Sequence, residues 1–119
     1  MRSPKDPIAE MLEACPFLRA ALGRALDEPP TVVMGAVARL LREGALTPEQ
    51  QARIFAYWNT WAERADEREL DLLATGALET FNDDAASQQL ARALLTGKAL
   101  DLLEDMRSGW GQPDYGPGD

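Results

Sequence analysis

The chain has 119 residues, 20 acidic against 12 basic, with no histidine and a single cysteine, Cys15. That length fits one domain with a real core, and the lone cysteine excludes an internal disulfide, as suits a reducing compartment. The missing histidine removes the commonest general base, the usual partner of Ser or Cys nucleophiles, and most transition-metal sites.

Residues 1–59 carry seven acids and seven bases, whereas residues 60–119 carry thirteen acids and five bases, so the formal charge of −8 lies wholly in the second half. Nucleic acid and anionic membranes both require a basic surface, so neither is expected as a direct ligand. A basic protein is the natural complement. Arg39 interrupts the longest apolar run, Val32 to Leu41, which falls short of the roughly 20 residues of a membrane span. The start, Met1-Arg-Ser-Pro-Lys-Asp6, lacks the apolar stretch of a secretory signal, so a cytoplasmic protein is expected.

Leu and Ala dominate the 45% apolar content, which favours helices over strands. The fold class expected is all-α, a single bundle of about five to six short helices over residues 1–108, followed by a flexible Gly/Pro-rich tail at 109–119. Asp6-Pro7 opens the first helix, with Ile8, Met11, Leu12 and Cys15 on one face. Pro16 bends or restarts it, and Leu18, Leu22, Ala25 and Leu26 continue the stripe to Asp27-Glu-Pro-Pro30. From Thr31 a second helix places Val33, Ala36, Val37, Leu40 and Leu41 inward and ends at Gly44 with positive φ.

Thr47-Pro-Glu-Gln50 is a capping box that opens a third helix over about 48–64, with Ile54, Trp58, Trp61 and Ala65 along one stripe and Phe55 and Ala62 beside it. Asp66 begins a fourth, whose broad apolar face holds Leu70, Leu73, Ala74, Ala77, Leu78 and Phe81 while Leu72 lies opposite. The third and fourth helices are expected to form the core hairpin. Asp83 and Asp84 cap a fifth helix, bearing Leu90, Ala91, Leu94 and Leu95 and ending at Gly97. The sixth turns Ala99, Leu102, Leu103 and Met106 inward and Asp101, Glu104 and Asp105 outward.

Little here carries catalysis. Cys15 sits on an apolar face with no histidine to deprotonate it, and Ser3, Ser87 and Ser108 lie in no nucleophile elbow. Glu63-x-x-Asp66 with Asp101-x-x-Glu104 resembles the i, i+3 acids of helical Mg²⁺-dependent nucleotide pyrophosphohydrolases, although such pairs arise in any acidic helix. Otherwise no cofactor or metal is expected. Phe55, Trp58 and Trp61 read as core. Tyr57, at the edge of that stripe, reads equally as an interface residue or as a satisfied half-buried tyrosine.

Asp101, Glu104 and Asp105 share one helix face and would approach the Asp83-Asp84 turn if neighbouring helices run antiparallel. That face is either a docking surface for Lys and Arg or a solubility feature.

Four stretches carry a resemblance to a family: Met34-Gly-Ala-Val-Ala-Arg-Leu-Leu41, Phe55-Ala-Tyr-Trp-Asn59, Leu70-Asp-Leu-Leu-Ala-Thr-Gly-Ala-Leu-Glu79 and Ala91-Arg-Ala-Leu-Leu-Thr-Gly-Lys-Ala-Leu100. In their order the chain resembles a family of small acidic all-helical bacterial proteins, several of which look like immunity proteins for polymorphic secreted toxins. The resemblance implies a helical fold and a binding role, with a cognate toxin as partner. It identifies neither the toxin nor the contacts. The partner-binding residues expected from charge and position are Tyr57, Asp83, Asp84, Asp101, Glu104, Asp105 and Trp110. The competing expectations are the Mg²⁺-dependent hydrolase and a non-catalytic helical adaptor.

Overall fold

The computed structural model describes residues 6–109, and among these the chain is helical with no strand. The elements are α1 (Pro7–Ala14), α2 (Leu18–Leu22) running on into a 3₁₀ turn (Gly23–Asp27), α3 (Pro30–Arg42) and α4 (Pro48–Arg64). Next comes α5, built from Glu67–Leu73, a π-helical segment Ala74–Leu78 and a last turn Glu79–Phe81. It is followed by α6 (Ala85–Leu94) and α7 (Gly97–Gly109). Residues 110–119, most of the expected tail, lie outside the described residues.

Counted this way, the described residues form seven helices where five to six were expected, and Pro16 accounts for the difference. A residue before proline is driven out of the α region, and Cys15 accordingly stands at φ −130°, ψ 72°, so α1 stops and α2 starts afresh. Local caps set most other boundaries. The side chain of Asp6 accepts from the Ile8 N–H, and Thr47 with Gln50 forms the expected reciprocal box. Asp66 with Glu69 forms a second such box, and Asp84 accepts from the Ser87 N–H. Gly44 follows α3 at φ 69°, as its position requires. Gly97 differs from expectation. It opens α7 at φ 53°, while α6 has already ended at Leu94.

Trp58, Leu73 and Phe81 are fully buried, and Phe55, Trp58 and Phe81 form a mutually tilted aromatic cluster with ring centroids 5.5 to 6.3 Å apart. The partner of α5 is not the expected one. Its π segment packs most extensively on α3 and only lightly on α4. Glycine makes this possible, since a Cβ on Gly76 would stand 2.8 Å from Met34 Cβ and 3.4 Å from the Thr31 carbonyl oxygen. On the other side, a Cβ on Gly35 would stand 3.4 Å from the Gly76 carbonyl oxygen. Just inside the π segment the Thr75 hydroxyl donates to the Asp71 carbonyl at 2.7 Å. The wider α3 contact also explains why Met34 and Ala38 are buried beside the predicted Val33, Val37 and Leu41.

One buried polar pair joins α5 to α6. Gln88 Nε2 donates to Asn82 Oδ1 at 2.7 Å with both residues inside the core. Trp58 Nε1, by contrast, is buried with no hydrogen-bond partner among the described residues. An unpaired buried donor costs about 1–3 kcal/mol, so the indole is retained here for its volume rather than for its N–H.

Two substitutions test this packing by thermal or urea denaturation. Trp58→Ala should cost about 3–5 kcal/mol, whereas Trp58→Phe, which also removes the unpaired donor, should cost clearly less. Gly76→Ala should cost about 1–3 kcal/mol through overpacking against Met34, despite the better helix propensity of alanine. A stabilised Gly76→Ala protein would show that α3 and α5 are not in backbone contact.

Candidate functional site

The acidic residues singled out by sequence divide into two groups, each already engaged by an arginine of the same chain. At the α5–α6 turn, Arg42 reaches from the end of α3 to place Nη2 2.9 Å from Asp84 Oδ2 and Nη1 3.6 Å from Asp83 Oδ2, and its Nε donates to Ser87 Oγ. Asp84 is simultaneously the N-cap of α6. The Ser87 backbone N–H first, and Arg42 next, hold its carboxyl below the ordinary aspartate range.

On α7, Glu104 accepts two bonds from the Arg92 guanidinium, 3.0 Å from Nε and 3.3 Å from Nη2, which ties α7 to α6. Asp101 and Asp105 are exposed on the outer side of the same helix, as its inward Ala99, Leu103 and Met106 require. Trp110 lies outside the described residues.

Tyr57 belongs to a different surface. Residues 57, 61 and 64 follow one another at helical spacing along the side of α4 that meets α1. The Tyr57 hydroxyl lies 3.2 Å from the Pro7 carbonyl oxygen and 3.3 Å from Glu10 Oε1, and its ring stacks on Trp61 at 6.0 Å. Arg64 completes the cluster with a 2.6 Å ion pair to the same Glu10 oxygen. Burial, and then Glu10, push the Tyr57 phenol well above its ordinary value while Arg64 opposes them. Tyr57 is thus half-buried, with its hydroxyl hydrogen-bonded within the chain.

The opposite side of α4 carries a feature that sequence reasoning missed. Asn59 Nδ2 donates to the Leu94 carbonyl at 3.0 Å, and Asn59 Oδ1 accepts from the Thr96 N–H at 2.9 Å. One turn further on, Glu63 Oε2 accepts from the Lys98 N–H at 2.7 Å. The only local signal was an asparagine in a helix interior, where its propensity is poor. Its partners lie 35 to 37 residues away.

Of the two i, i+3 acid pairs noted in the sequence, Glu63 is bound to the backbone of α7 and Glu104 to Arg92. Asp66 is spent as the N-cap of α5, where it accepts from the Glu69 N–H at 2.9 Å. Among the described residues no three His, Cys, Asp or Glu side chains are grouped to hold a metal ion. Cys15 is buried, which pushes its thiol above the ordinary value and away from the reactive thiolate.

Two of the hollows in the surface are lined largely by charged residues. The larger, about 610 Å³, lies at the α4–α5 turn between Pro7, Pro30, Arg64, Asp66, Arg68, Glu69 and Leu72. Leu72, partly buried against the edge of the core, lines this groove from α5. Glu69 anchors the wall, with one oxygen accepting from the Asp66 N–H and the other from Trp61 Nε1 at 3.2 Å. The smaller hollow, about 390 Å³, lies beside Arg39, Arg42 and Asp84. Ser87 also lines the smaller hollow, and its hydroxyl donates to Asp84 Oδ2 at 3.0 Å. No described helix is long and apolar enough to cross a membrane. No protein-family model, curated protein or solved structure matches this chain.

The Tyr57 cluster has a signature in alkaline stability. Because the phenol's value is raised by folding, its contribution is intact below about pH 10, where a free tyrosine ionises, and is lost as pH rises beyond that. Wild-type melting temperature should therefore fall more steeply above about pH 10 than that of Tyr57→Phe. Parallel curves across that range would place the hydroxyl in solvent.

Proposed function

We propose that the chain is a non-catalytic inhibitor of the immunity-protein kind, which binds a basic toxin in the cytoplasm and occludes its active site. The observation that carries this reading is the charge partition: thirteen acids against five bases over residues 60–119, with Glu67, Asp71, Glu79, Asp101 and Asp105 exposed on α5 and α7. An acidic surface accelerates encounter with a basic partner, and a few desolvated anchors then set the off-rate. Toxins that act on nucleic acid carry the basic clefts such a surface complements, and they are the target class we favour. The resemblance noted in the sequence points the same way.

The reading of a Mg²⁺-dependent nucleotide hydrolase needs Glu63, Asp66, Asp101 and Glu104 to share a site. Three of these four carboxylates have structural partners of their own. An adaptor would call for a large exposed apolar patch, whereas Val32 is the one large apolar side chain exposed among the described residues.

The test is association with the protein of the neighbouring reading frame, where a cognate toxin would be encoded. Asp101→Lys with Asp105→Lys, leaving Glu104 on Arg92, should slow association about ten-fold or more at low salt, with the penalty shrinking as ionic strength rises. Unchanged association, or Mg²⁺-dependent nucleotide turnover abolished by Asp101→Asn, would reject the proposal.

A further inference from the structure

The turn between α6 and α7 is held from outside. An α-helix leaves its last carbonyls and first N–H groups without partners of its own, and consecutive helices normally satisfy them with local caps. Here the chain turns within Leu95 and Thr96, and α4 supplies the partners instead. Asn59 takes the Leu94 carbonyl of the departing helix and the Thr96 N–H of the turn, and Glu63 takes the Lys98 N–H of the arriving one. The two clamp residues are four apart on α4, so they stand one above the other on a single face of a rigid 17-residue helix. A carboxylate at this end of α7 also opposes the positive pole of the helix dipole.

Gly97 belongs to the same device. A Cβ at that position would run into the Glu63 carboxylate oxygen, and its φ of +53° disfavours any L side chain. The glycine thus admits Glu63 to the helix end as well as turning the chain.

We infer that Asn59 and Glu63 are positioning residues that hold α7, and with it the outward-facing Asp101 and Asp105, in its orientation on the bundle. The inference uses the acidic-surface reading only for its consequence in binding. The clamp itself is a property of the free chain. Packing of Ala99, Leu103 and Met106 against the core keeps α7 associated, but a row of apolar contacts tolerates small shifts that directional hydrogen bonds do not. The clamp therefore governs how often the turn and the start of α7 open.

The experiment is amide hydrogen exchange of the free full-length chain, comparing wild type with Glu63→Ala, Glu63→Gln, Asn59→Ala and, as a control acid outside the clamp, Glu67→Ala. Glu63→Ala and Asn59→Ala should speed exchange at residues 96–106 by about ten-fold, while α3 and the centre of α4 keep their protection. Glu63→Gln retains an acceptor oxygen for the Lys98 N–H and should stay within about three-fold of wild type. The control should match wild type in this segment.

Unchanged exchange at 96–106 in both alanine variants would overturn the inference. So would equal acceleration in every helix, since that reports only a loss of global stability. A protein whose clamp behaves as described, but whose Asp101→Lys, Asp105→Lys variant associates normally, would keep the clamp and lose the acidic-surface reading.

Discussion

The close approach of α3 to the π segment of α5 is the constraint on which the remaining packing depends. With Gly76 lacking a Cβ, the two backbones meet where Met34 and the Thr31 carbonyl would otherwise exclude a side chain. That contact brings Leu73, Ala77 and Leu78 onto the inner face of α3 and carries Phe81 to the aromatic cluster of α4. The helix widens into its π segment, Ala74–Leu78, at the turn where the approach is tightest. Without the widening, every residue after Ala74 would be rotated relative to its present partners.

α4 then serves as the strut. One side holds α1 through Tyr57 and Arg64, and the other holds the α6–α7 turn through Asn59 and Glu63. Its apolar stripe of Ile54, Phe55, Trp58 and Ala62 lies fully inside. Exposed acids lie on several helices, among them Glu13 on α1, Glu49 and Glu63 on α4, Glu67, Asp71 and Glu79 on α5, and Asp101 and Asp105 on α7.

What was legible in the sequence is what short-range chemistry determines. Asp6-Pro7, Thr47 to Gln50, Asp66 and Asp84 each announced a helix start, because a cap and the amide it satisfies lie within three residues. The apolar stripes likewise named Trp58, Leu73 and Phe81 as core. Three features were illegible for one common reason. The Asn82–Gln88 pair, the grip of Asn59 and Glu63 on a distant turn, and the preference of α5 for α3 over α4 depend on which surfaces meet, and periodicity does not say which. Gly97 was misread as a terminator because a glycine at positive φ marks a change of direction without saying which helix it serves. The acids were seen correctly as outward, but that arginines 42 and 92 would claim Asp83, Asp84 and Glu104 lay beyond any local signal.

The arginine pairing divides the carboxylates into two populations. Asp84, Glu104 and Glu10 are bound into the scaffold by Arg42, Arg92 and Arg64, and changing any of them disturbs a joint between helices. Glu67, Asp71 and Asp101 lie exposed on the helices that those joints hold in place. Substitutions at well-separated surface positions act nearly independently and cost little stability. The frame can therefore be kept while its outer charges are exchanged one at a time, with no need to solve the folding problem again.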